Sequence, residues 1–338
     1  MTETVQISLQ DAFSLLTQVF ERSGASKGVA TSVAHALVAA ESEGQIGHGF
    51  SRVADYAAQL QSGKINPNAD MVLTRPAPAG LHVLADYGFA YPAIEAALAA
   101  GLPLAREMGI AVMTIGNSHH CGALAIHVEK IAQAGLVGLM VANTPKAIAP
   151  WGAKDPVFGT NPIAFATPVK DAPPLVIDLS LSVVARGKVM AAKKAGKPIP
   201  TGWALDAQGQ PTTDPEAALE GTMLPIGDAK GTTLALMIEV LASALTGSAF
   251  SAEAGSFFHA DGPRPNVGQT IIAIDPGSRS DFGARVKTLL DQIAAMPGAR
   301  LPGARRRAAI ARSESDGLQV PAHLFHQVQK LANPDAQT

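Results

Sequence analysis

The chain has 338 residues, 47% of them hydrophobic and 16% charged, which is enough to bury a substantial core in two or three lobes. A net charge of -2 argues against nucleic acid and anionic membranes as partners, because there is no basic excess to bind a polyanion. The lone cysteine, Cys121, excludes an internal disulfide, and the first ten residues lack the features of a signal peptide, so we expect a cytoplasmic protein.

Two helices are predicted near the start of the chain. Ser8 followed by Asp11 is typical of a helix start, and the apolar residues 13, 16, 19 and 20 would form one buried face. A second helix is predicted from about residue 26 to residue 43, where the stretch GQIGHG interrupts the pattern.

The stretch GHGFSR raises the first question of function. Gly47 precedes His48, and Arg52 follows four positions after the histidine. If a new helix begins at His48, this spacing places Arg52 one turn later on the same face, so that both side chains can point into one pocket. The alternative is that His48 is only a polar residue in a tight turn.

The next predicted elements alternate between strands and helices. Two short strands broken by RPAPAG are expected between residues 71 and 83, followed by an alanine-rich helix from about 90 to 108. A buried strand is predicted over GIAVMTIG, which starts at residue 109, and a polar turn over NSHHCGA, which follows it. A helix is then predicted over ALAIHVEKIAQAG and another buried strand over GLVGLMVAN. The uncharged run 108–128 contains this polar turn and therefore does not predict a membrane span.

Two adjacent histidines, His119 and His120, lie in the polar turn, where the strand leads into a helix N-terminus. Each could belong to a functional site or could simply cap the helix. A metal site is not expected, because the chain contains no HExxH, CxxC or comparable spacing of zinc ligands.

The C-terminal half begins with two predicted strands, PIAFATP and PLVIDLS. Asp178 lies at the end of the second strand, where its carboxylate could accept hydrogen bonds from a sugar or an amide, or could cap the turn at Ser180. A loop is predicted over GKPIPTGWALDAQGQPTTDPEAA, followed by the strongest helix of the chain at about 232–246. The strand TIIAID and helices at 281–296 and about 321–332 complete the prediction.

The segment GDAKGTTLALMIEV places Lys230 and Thr232 at a helix N-terminus, which favours a bound anion such as phosphate. A capped helix with a solvated lysine is the alternative. The segment is not a Walker A sequence, and the chain contains no GxGxxG. A dinucleotide would therefore have to be bound without the Rossmann fingerprint.

Six motifs become informative when they are taken in order: GHGFSR, NSHHCGA, FGTNPIAFATP, VIDLSLSVVARGKV, GDAKGTTLALMIEVLASALTG and RLPGARR. Together they resemble the malate/L-lactate dehydrogenase family, which is unrelated to the Rossmann-fold dehydrogenases. The chain is most similar to the branch of piperideine-2-carboxylate/pyrroline-2-carboxylate reductases, and the resemblance covers nearly its whole length.

The resemblance implies an α/β fold with a non-Rossmann NAD(P)-binding domain, whose sheet is largely antiparallel, and a helical domain built from both chain ends. Residues 1–70 and 300–338 would form the helical domain, which contributes His48 and Arg52. Residues 71–299 would form the NAD(P)-binding and substrate or dimerisation region, in two lobes.

The activity implied by the resemblance is that of a homodimeric reductase using NADPH or NADH on a small 2-imino or 2-oxo acid. His48 would be the proton donor, Arg52 would bind the substrate carboxylate, and Thr160 would also face the substrate. The implied cofactor-binding residues are His120, Cys121, Gly122, Ala123, Leu124, Asp178, Leu179, Ser180, Arg186, Gly187, Lys230, Arg305 and Arg306. The arginines favour a 2′-phosphate, and hence NADPH, because a guanidinium pairs with phosphate in bidentate fashion.

Three positions depart from the family pattern. Gly47 stands where the family usually has serine, and Lys188 stands where the imine-reducing branch has aspartate. These two positions would form the relay that orients and recharges the histidine, so this relay is altered here. Ala304 replaces a common glutamate and affects how the adenosine end would be held.

Several functions therefore compete. Similarity through TTDPEAALEG and the C-terminal half favours reduction of a cyclic 2-imino acid, whereas Lys188 favours a 2-hydroxy-acid dehydrogenase for malate, lactate, ureidoglycolate or a sugar-derived acid. A cofactor-binding protein that has lost catalysis is an alternative of another class. A metal-dependent hydrolase using His48, His119 and His120 is the last alternative.

Overall fold

In a computed structural model that describes residues 3–277 and 281–333, the chain is organised around one seven-stranded sheet. With strands numbered along the whole chain, its members are β2 (Val72–Ala77), β3 (Gly80–Leu84), β4 (Ile110–Ser118), β5 (Val137–Ala142), β6 (Ile163–Val169), β7 (Ala172–Leu179) and β11 (Val267–Ile274). Their order is β2-β3-β4-β11-β5-β6-β7, and only the β3–β4 pair is parallel. The predicted α/β fold with a largely antiparallel sheet is confirmed.

Two helices, α4 (Ala90–Met108) and α5 (Ala125–Gln133), pack against this sheet and enclose its main apolar core. Gly101 of α4 allows the closest approach, because a Cβ at this position would overlap the side chain of Met113 on β4. Both helices agree with the sequence prediction to within two residues.

A second apolar core belongs to a helical cluster drawn from both chain ends. The cluster comprises α1 (Leu9–Arg22), α2 (Lys27–Ser42), α3 (Val53–Gln61), α10 (Ala304–Asp316), α11 (Ala322–Ala332) and the pair β1 (Thr4–Ile7) with β12 (Leu318–Pro321). The Ser8 hydroxyl accepts a hydrogen bond from the Asp11 amide at 3.0 Å, as expected of a helix cap. The domain boundaries stay a prediction, and the last five residues of the 300–338 segment lie outside the described part.

A third apolar core lies among shorter elements and also includes Val141 of β5. Its elements are β8 (Ala204–Leu205), β9 (Pro211–Thr212), β10 (Thr222–Met223), α6 (Arg186–Lys194), α7 (Pro215–Glu220) and α8 (Ala229–Glu239). One further helix, α9 (Phe282–Ala294), contacts β6. The segment that carries Thr160 contacts α8, because Asn161 donates a hydrogen bond to the Ala235 carbonyl at 3.2 Å.

Two local predictions are wrong, and a third, the helix at about 232–246, is confirmed with different bounds. β2 continues through Pro76 to Ala77, because an edge strand tolerates a residue without an amide hydrogen, so the chain turns only at residues 78 and 79. The predicted loop at 196–218 contains β8, β9 and the start of α7. The helix predicted at 232–246 begins at Ala229 as α8 and changes to a π-helical turn at Val240–Ala244.

Candidate active site

His48 and Arg52 lie in two successive 3-10 turns rather than in one new α-helix. The turns span Ile46–His48 and Phe50–Arg52, and α3 begins only after them. The condition that a new helix begins at His48 is therefore not met, because Gly49 separates the two turns with a non-helical backbone (φ -108°, ψ -126°). The two side chains nevertheless interact electrostatically, since the Arg52 charge helps to lower the pKa of His48.

The Arg52 guanidinium is fixed from three sides. Its Nε donates a hydrogen bond to the Gly47 carbonyl at 2.7 Å, and one terminal nitrogen lies 3.6 Å from a carboxylate oxygen of Asp55. Its carbon stands 4.5 Å from the centre of the Phe258 ring, in a cation–π arrangement. Only 16% of the side chain is exposed, so this guanidinium is a preoriented site for a carboxylate.

His48 is neutral near pH 7 in this structure. Burial and, as the smaller cause, the adjacent Arg52 charge together lower its pKa from 6.5 to about 4. Its ring stacks on that of His120, with centroids 5.5 Å apart and planes at 27°. A neutral imidazole in this position is able to accept a proton from a substrate hydroxyl.

Glu41 supports the loop that carries His48. Its carboxylate accepts a hydrogen bond from the Phe50 amide at 2.8 Å, and burial raises its pKa from 4.5 to about 7. A Cβ on Gly49 would overlap this carboxylate, so the loop conformation requires glycine there. At Gly47, by contrast, no heavy atom outside the neighbouring residues lies within 4 Å of such a Cβ.

We expect Gly49→Ala to lower the free energy of unfolding by about 1–3 kcal/mol, because the new methyl group displaces the Glu41 carboxylate. Gly47→Ala is the matched control on the other side of His48 and should change the stability by about 0.5 kcal/mol or less. Urea denaturation of both variants measures the difference. Equal losses would show that the Gly49–Glu41 approach does not stabilise the loop.

The turn after β4 lies against the His48 ring and carries His119 and His120. The Nε2 atom of His119 lies 2.9 Å from the side-chain oxygen of Gln59, and the Nδ1 atom of His120 lies 2.5 Å from the Tyr56 hydroxyl. The Phe257 ring packs on His120 with centroids 4.6 Å apart. His120 therefore adjoins His48, whereas His119 is a buried packing residue between Tyr56, Phe89 and Phe257, and neither caps α5, which begins at residue 125.

A loop at residues 255–264 packs on this turn, and the sequence analysis did not find it. Gln59 donates a hydrogen bond to the Phe257 carbonyl at 2.8 Å. Lys64 donates to the carbonyls of His259 and Asp261, each at 2.8 Å. These bonds hold Phe257 and Phe258 over the site. The available signal was the pair of adjacent aromatic residues in a chain with only 5% aromatics.

Some of the residues predicted to bind cofactor, Asp178 and residues 120–124, lie around the N-terminus of α5. The Asp178 carboxylate at the end of β7 accepts a hydrogen bond from the Ala125 amide at 2.8 Å. Burial raises its pKa from 3.8 to about 6, while hydrogen bonds from the Ala125 and Leu124 amides act in the opposite direction, so a further hydrogen-bond donor would stabilise the carboxylate. A ribose hydroxyl would supply such a donor, and this chemistry fits a nicotinamide dinucleotide.

Residues 120–124 form the backbone between His120 and that helix. Gly122 has a φ of 68°, and a Cβ there would lie 2.6 Å from the Tyr91 hydroxyl, so both conformation and space require glycine. The other members of this segment, Cys121, Ala123 and Leu124, are buried. Burial raises the pKa of the Cys121 thiol from 9.0 to about 12, which makes it an unreactive packing residue.

Of the three residues predicted to bind phosphate, two are exposed and the third is engaged in ion pairs within the protein. Lys230 is exposed in the first turn of α8, and Arg305 is exposed in the first turn of α10. Arg306 instead forms ion pairs with Glu43 and Glu129, one of its bonds to Glu129 measuring 3.0 Å. Arg306 thus links α10 to the end of α2 and to α5. Its role as a phosphate ligand stays a prediction.

The remaining predicted residues lie on β7, on α6 and in the segment before β6. Thr160 is held by Thr144, whose hydroxyl accepts its amide hydrogen at 2.9 Å. Arg186 donates to the Leu219 carbonyl at 3.1 Å. Leu179 and Ser180 stand at the end of β7, next to Asp178, and Gly187 lies exposed in the first turn of α6.

Lys188, the second position of the altered relay, is exposed in the first turn of α6. Within residues 3–277 and 281–333, no hydrogen bond or ion pair connects its side chain to His48. Over the same ranges, no cluster of three or more His, Cys, Asp or Glu side chains could hold a metal ion. No helix in the described part is both long and apolar enough to cross a membrane.

Comparison with known proteins agrees with this architecture. The family model for malate/L-lactate dehydrogenase matches residues 7–329. The chain is 46% identical to a (2R)-3-sulfolactate dehydrogenase (NADP(+)) of Chromohalobacter salexigens, over 96% of this chain and 98% of the relative. It is 41% identical to a Δ1-pyrroline-2-carboxylate/Δ1-piperideine-2-carboxylate reductase of Pseudomonas putida, over 94% of each chain.

Solved structures show the same fold. The Δ1-piperideine-2-carboxylate reductase from Pseudomonas syringae superposes with a TM-score of 0.92 at 37% identity, over 97% of this chain and all of that one. The sulfolactate dehydrogenase from Methanocaldococcus jannaschii gives a TM-score of 0.90 at 30% identity, over 98% of this chain and 97% of the other. The chain therefore belongs to the malate/L-lactate dehydrogenase family and is an NAD(P)H-dependent dehydrogenase or reductase.

Proposed function

We propose that the protein interconverts a small 2-oxo acid and its 2-hydroxy acid with NADP(H), using His48 for the proton and Arg52 for the substrate carboxylate. The observation that carries the proposal is the juxtaposition of a neutral, half-buried imidazole with a guanidinium fixed by Gly47 and Phe258. NADP(H) exchanges hydride at C2 of the substrate. The protein residues orient C2 and move the accompanying proton.

Each residue has a role that follows from its chemistry. The Arg52 fork binds the carboxylate in bidentate fashion and so fixes which face of C2 is presented. His48 accepts the hydroxyl proton during oxidation and returns a proton to the C2 oxygen during reduction. Because the relay positions hold Gly47 and Lys188, His48 would exchange this proton with water or another side chain. Arg305 is exposed and would hold the 2′-phosphate of NADPH through a bidentate pair, which is the reason for proposing NADPH.

Three observations favour the oxo and hydroxy acids over the cyclic imino acids. A neutral His48 suits removal of a proton from a hydroxyl group. Lys188 stands where the imine-reducing branch has aspartate. The sulfolactate dehydrogenase is 46% identical to this chain, against 41% for the Pseudomonas putida reductase. Reduction of pyrroline-2-carboxylate or piperideine-2-carboxylate is the second candidate, which the TM-score of 0.92 supports.

A substrate panel tests the proposal. Loss of reduced-nicotinamide absorbance is followed with NADPH and NADH against 3-sulfopyruvate, pyruvate, oxaloacetate, pyrroline-2-carboxylate and piperideine-2-carboxylate. Turnover of the oxo acids with NADPH is the expected result. Turnover confined to the two imino acids would replace the proposal by the second candidate, and no turnover of any C2 substrate would reject both.

The low pKa of His48 predicts an unusual pH profile for oxidation of the hydroxy acid. Only the neutral imidazole accepts a proton, so kcat/KM should fall as the pH decreases through about 4 and should not fall near 6.5. The profile is measured from pH 3 to 8. Glu41→Gln serves as a control, because that carboxyl titrates near 7. An acid limb at 6.5 that survives in Glu41→Gln would contradict the assignment.

We also propose that the protein is a homodimer and that it is cytoplasmic. Leu236, Met237 and Val240 are each more than half exposed along α8 and the turn after it, which is typical of a surface covered by another chain. Light scattering should give twice the chain mass of 34.7 kDa. Val240→Asp should give a monomer, whereas Leu289→Asp on exposed α9 should leave the dimer intact.

A further inference from the structure

Glu239, the last residue of α8, is a buried carboxylate outside the site described above, with only 4% exposure. Its two oxygens accept hydrogen bonds from different nitrogens, one from Nδ2 of Asn161 at 2.7 Å and the other from the Ser251 amide at 3.1 Å. The Ser251 hydroxyl also donates to the first oxygen, and the Ser243 hydroxyl donates to the second at 3.2 Å. These donors compensate for the loss of water around the carboxylate.

The two nitrogens require acceptors on both oxygens of Glu239. Nδ2 of Asn161 also lies 3.2 Å from the Ala235 carbonyl, which can only accept, so this atom is the side-chain NH2 group. The Ser251 amide is likewise only a donor. A glutamine at position 239 would therefore turn its own NH2 group toward one of these two nitrogens in either orientation, which is costly in a buried position.

Asn161 joins this carboxylate to Thr160, the residue predicted to face the substrate. Asn161 has a φ of 37°, a left-handed conformation that needs support from the surrounding structure. Thr160 itself is held by Thr144 through its amide and by Leu181, whose amide donates to the Thr160 carbonyl at 2.8 Å. The bond from Asn161 to Glu239 is the anchor on the following residue.

Ser251 joins the same carboxylate to the loop at residues 255–264, which begins four positions later. Ser251 is 0% exposed and is bonded to Glu239 through both its amide and its hydroxyl, so it is a fixed point from which the loop starts. That loop carries Phe258, whose ring centre lies 4.5 Å from the Arg52 guanidinium carbon. One buried carboxylate thus holds the residue after Thr160 and the base of the loop that covers Arg52.

We propose that Glu239 is a positioning residue for the substrate, which acts by holding Asn161 and Ser251 and so sets the spacing between Thr160 and the Arg52 guanidinium. This inference rests on the proposed function. The π-helical turn that directly follows Glu239 supports it, because such turns are frequent at functional sites. Loss of the carboxylate should weaken binding of the acid more than binding of NADPH, because both segments are assigned to the acid.

Two serines bonded to the same carboxylate give a matched pair of variants. Ser251→Ala removes the hydroxyl beside the loop, and KM for the oxo acid should rise about fivefold or more with KM for NADPH changed about twofold or less. Ser243→Ala removes an equally buried hydroxyl on the helical side, and KM for the oxo acid should stay within about twofold. A purely structural role would change both variants alike, or would lower kcat at unchanged KM through loss of folded protein, and either result would overturn the proposal.

Glu239→Gln should have a larger effect than Ser251→Ala, with KM for the oxo acid raised about tenfold or more, because it disturbs Asn161 and Ser251 together. An unchanged KM in a folded Glu239→Gln protein would overturn the proposal. If this variant does not fold, the two serine variants decide the question.

Cleavage by chymotrypsin tests the anchoring without turnover. Phe258 is 39% exposed, and cleavage after it requires the loop to open locally. Ser251→Ala should be cleaved after Phe258 about fivefold faster than the unmodified protein, and Ser243→Ala at the unmodified rate. Equal rates in all three proteins would overturn the proposal even if oxo acids are reduced.

Failure of the proposed function gives a different result. If the substrate panel shows turnover of the imino acids alone, the oxo-acid assignment fails, and the same KM comparison is made with the imino acid, which also carries a carboxylate. If the panel shows no turnover, the cleavage rates still distinguish Ser251 from Ser243.

Discussion

Replacing His48 by alanine is expected to lower kcat for oxo-acid reduction about 10³-fold, near the upper end of what general acid–base catalysis contributes. The imidazole is half-buried, is stacked on His120 and is the group placed to exchange the proton. Water entering the vacated space is a far weaker base than imidazole and a far weaker acid than imidazolium. KM for the acid should change little, because Arg52 carries the carboxylate.

The control for this variant is His326→Ala, which deletes an exposed imidazole on α11. Its kcat should equal that of the unmodified protein, and thermal unfolding should show that both variants are folded. If His48→Ala kept kcat within about threefold, His48 would have no part in proton transfer.

Changing Arg52 to methionine is expected to lower kcat/KM about 10²- to 10³-fold, mainly through a higher KM for the acid. The reason is that the substrate carboxylate would lose its charged partner at a position where the Arg52 side chain is only 16% exposed. Arg52→Lys keeps the charge but loses the Nε bond to Gly47 and the planar contact with Phe258. It should therefore recover only part of the loss and should also show a lower kcat, since the orientation of C2 is no longer fixed.

Initial-rate kinetics with varied oxo acid at saturating NADPH measure both variants, and Arg22→Met on the exposed end of α1 is the control. An unchanged KM in Arg52→Met would show that the substrate carboxylate binds elsewhere. Full activity of Arg52→Lys would show that charge alone, and not the fork, is required.

Local patterns predict the long elements of this fold well. The first residues of α1 and α2 follow from the N-caps Ser8 and Ser26, whose side chains accept hydrogen bonds from first-turn amides. α4 has the bounds that its alanine-rich pattern predicts. These elements are specified by residues within a few positions of each other, so a pass along the chain finds them.

Elements that depend on distant partners were not found. β1 pairs with β12, as in the register of Thr4 with Pro321, and each of these strands has only four residues. α10 has an unremarkable arginine-rich sequence, and Arg306 anchors it through ion pairs with Glu43 and Glu129. Such contacts join residues far apart in sequence, which periodicity does not reveal.

The same contrast between locally specified features and features that depend on distant partners applies to the site. The motifs supply His48, Arg52 and Asp178, but not the side chains that orient them. Tyr56 lies on α3, which follows the second 3-10 turn, and from there its hydroxyl contacts His120. Phe258 contacts Arg52 because hydrogen bonds from Gln59 and Lys64 hold the loop that carries it. These arrangements result from tertiary packing, and so sequence motifs alone predict the chemistry better than the geometry.

The central claim, that hydride is delivered to C2 of an acid bound between His48 and Arg52, is tested most directly by following the hydrogen itself. The protein is supplied with NADPH deuterated at the transferable C4 position and with 3-sulfopyruvate or pyruvate, and the product is analysed by NMR. The account predicts a 2-hydroxy acid that carries deuterium at C2. A product without deuterium at C2, or deuterium found only in solvent, would contradict it.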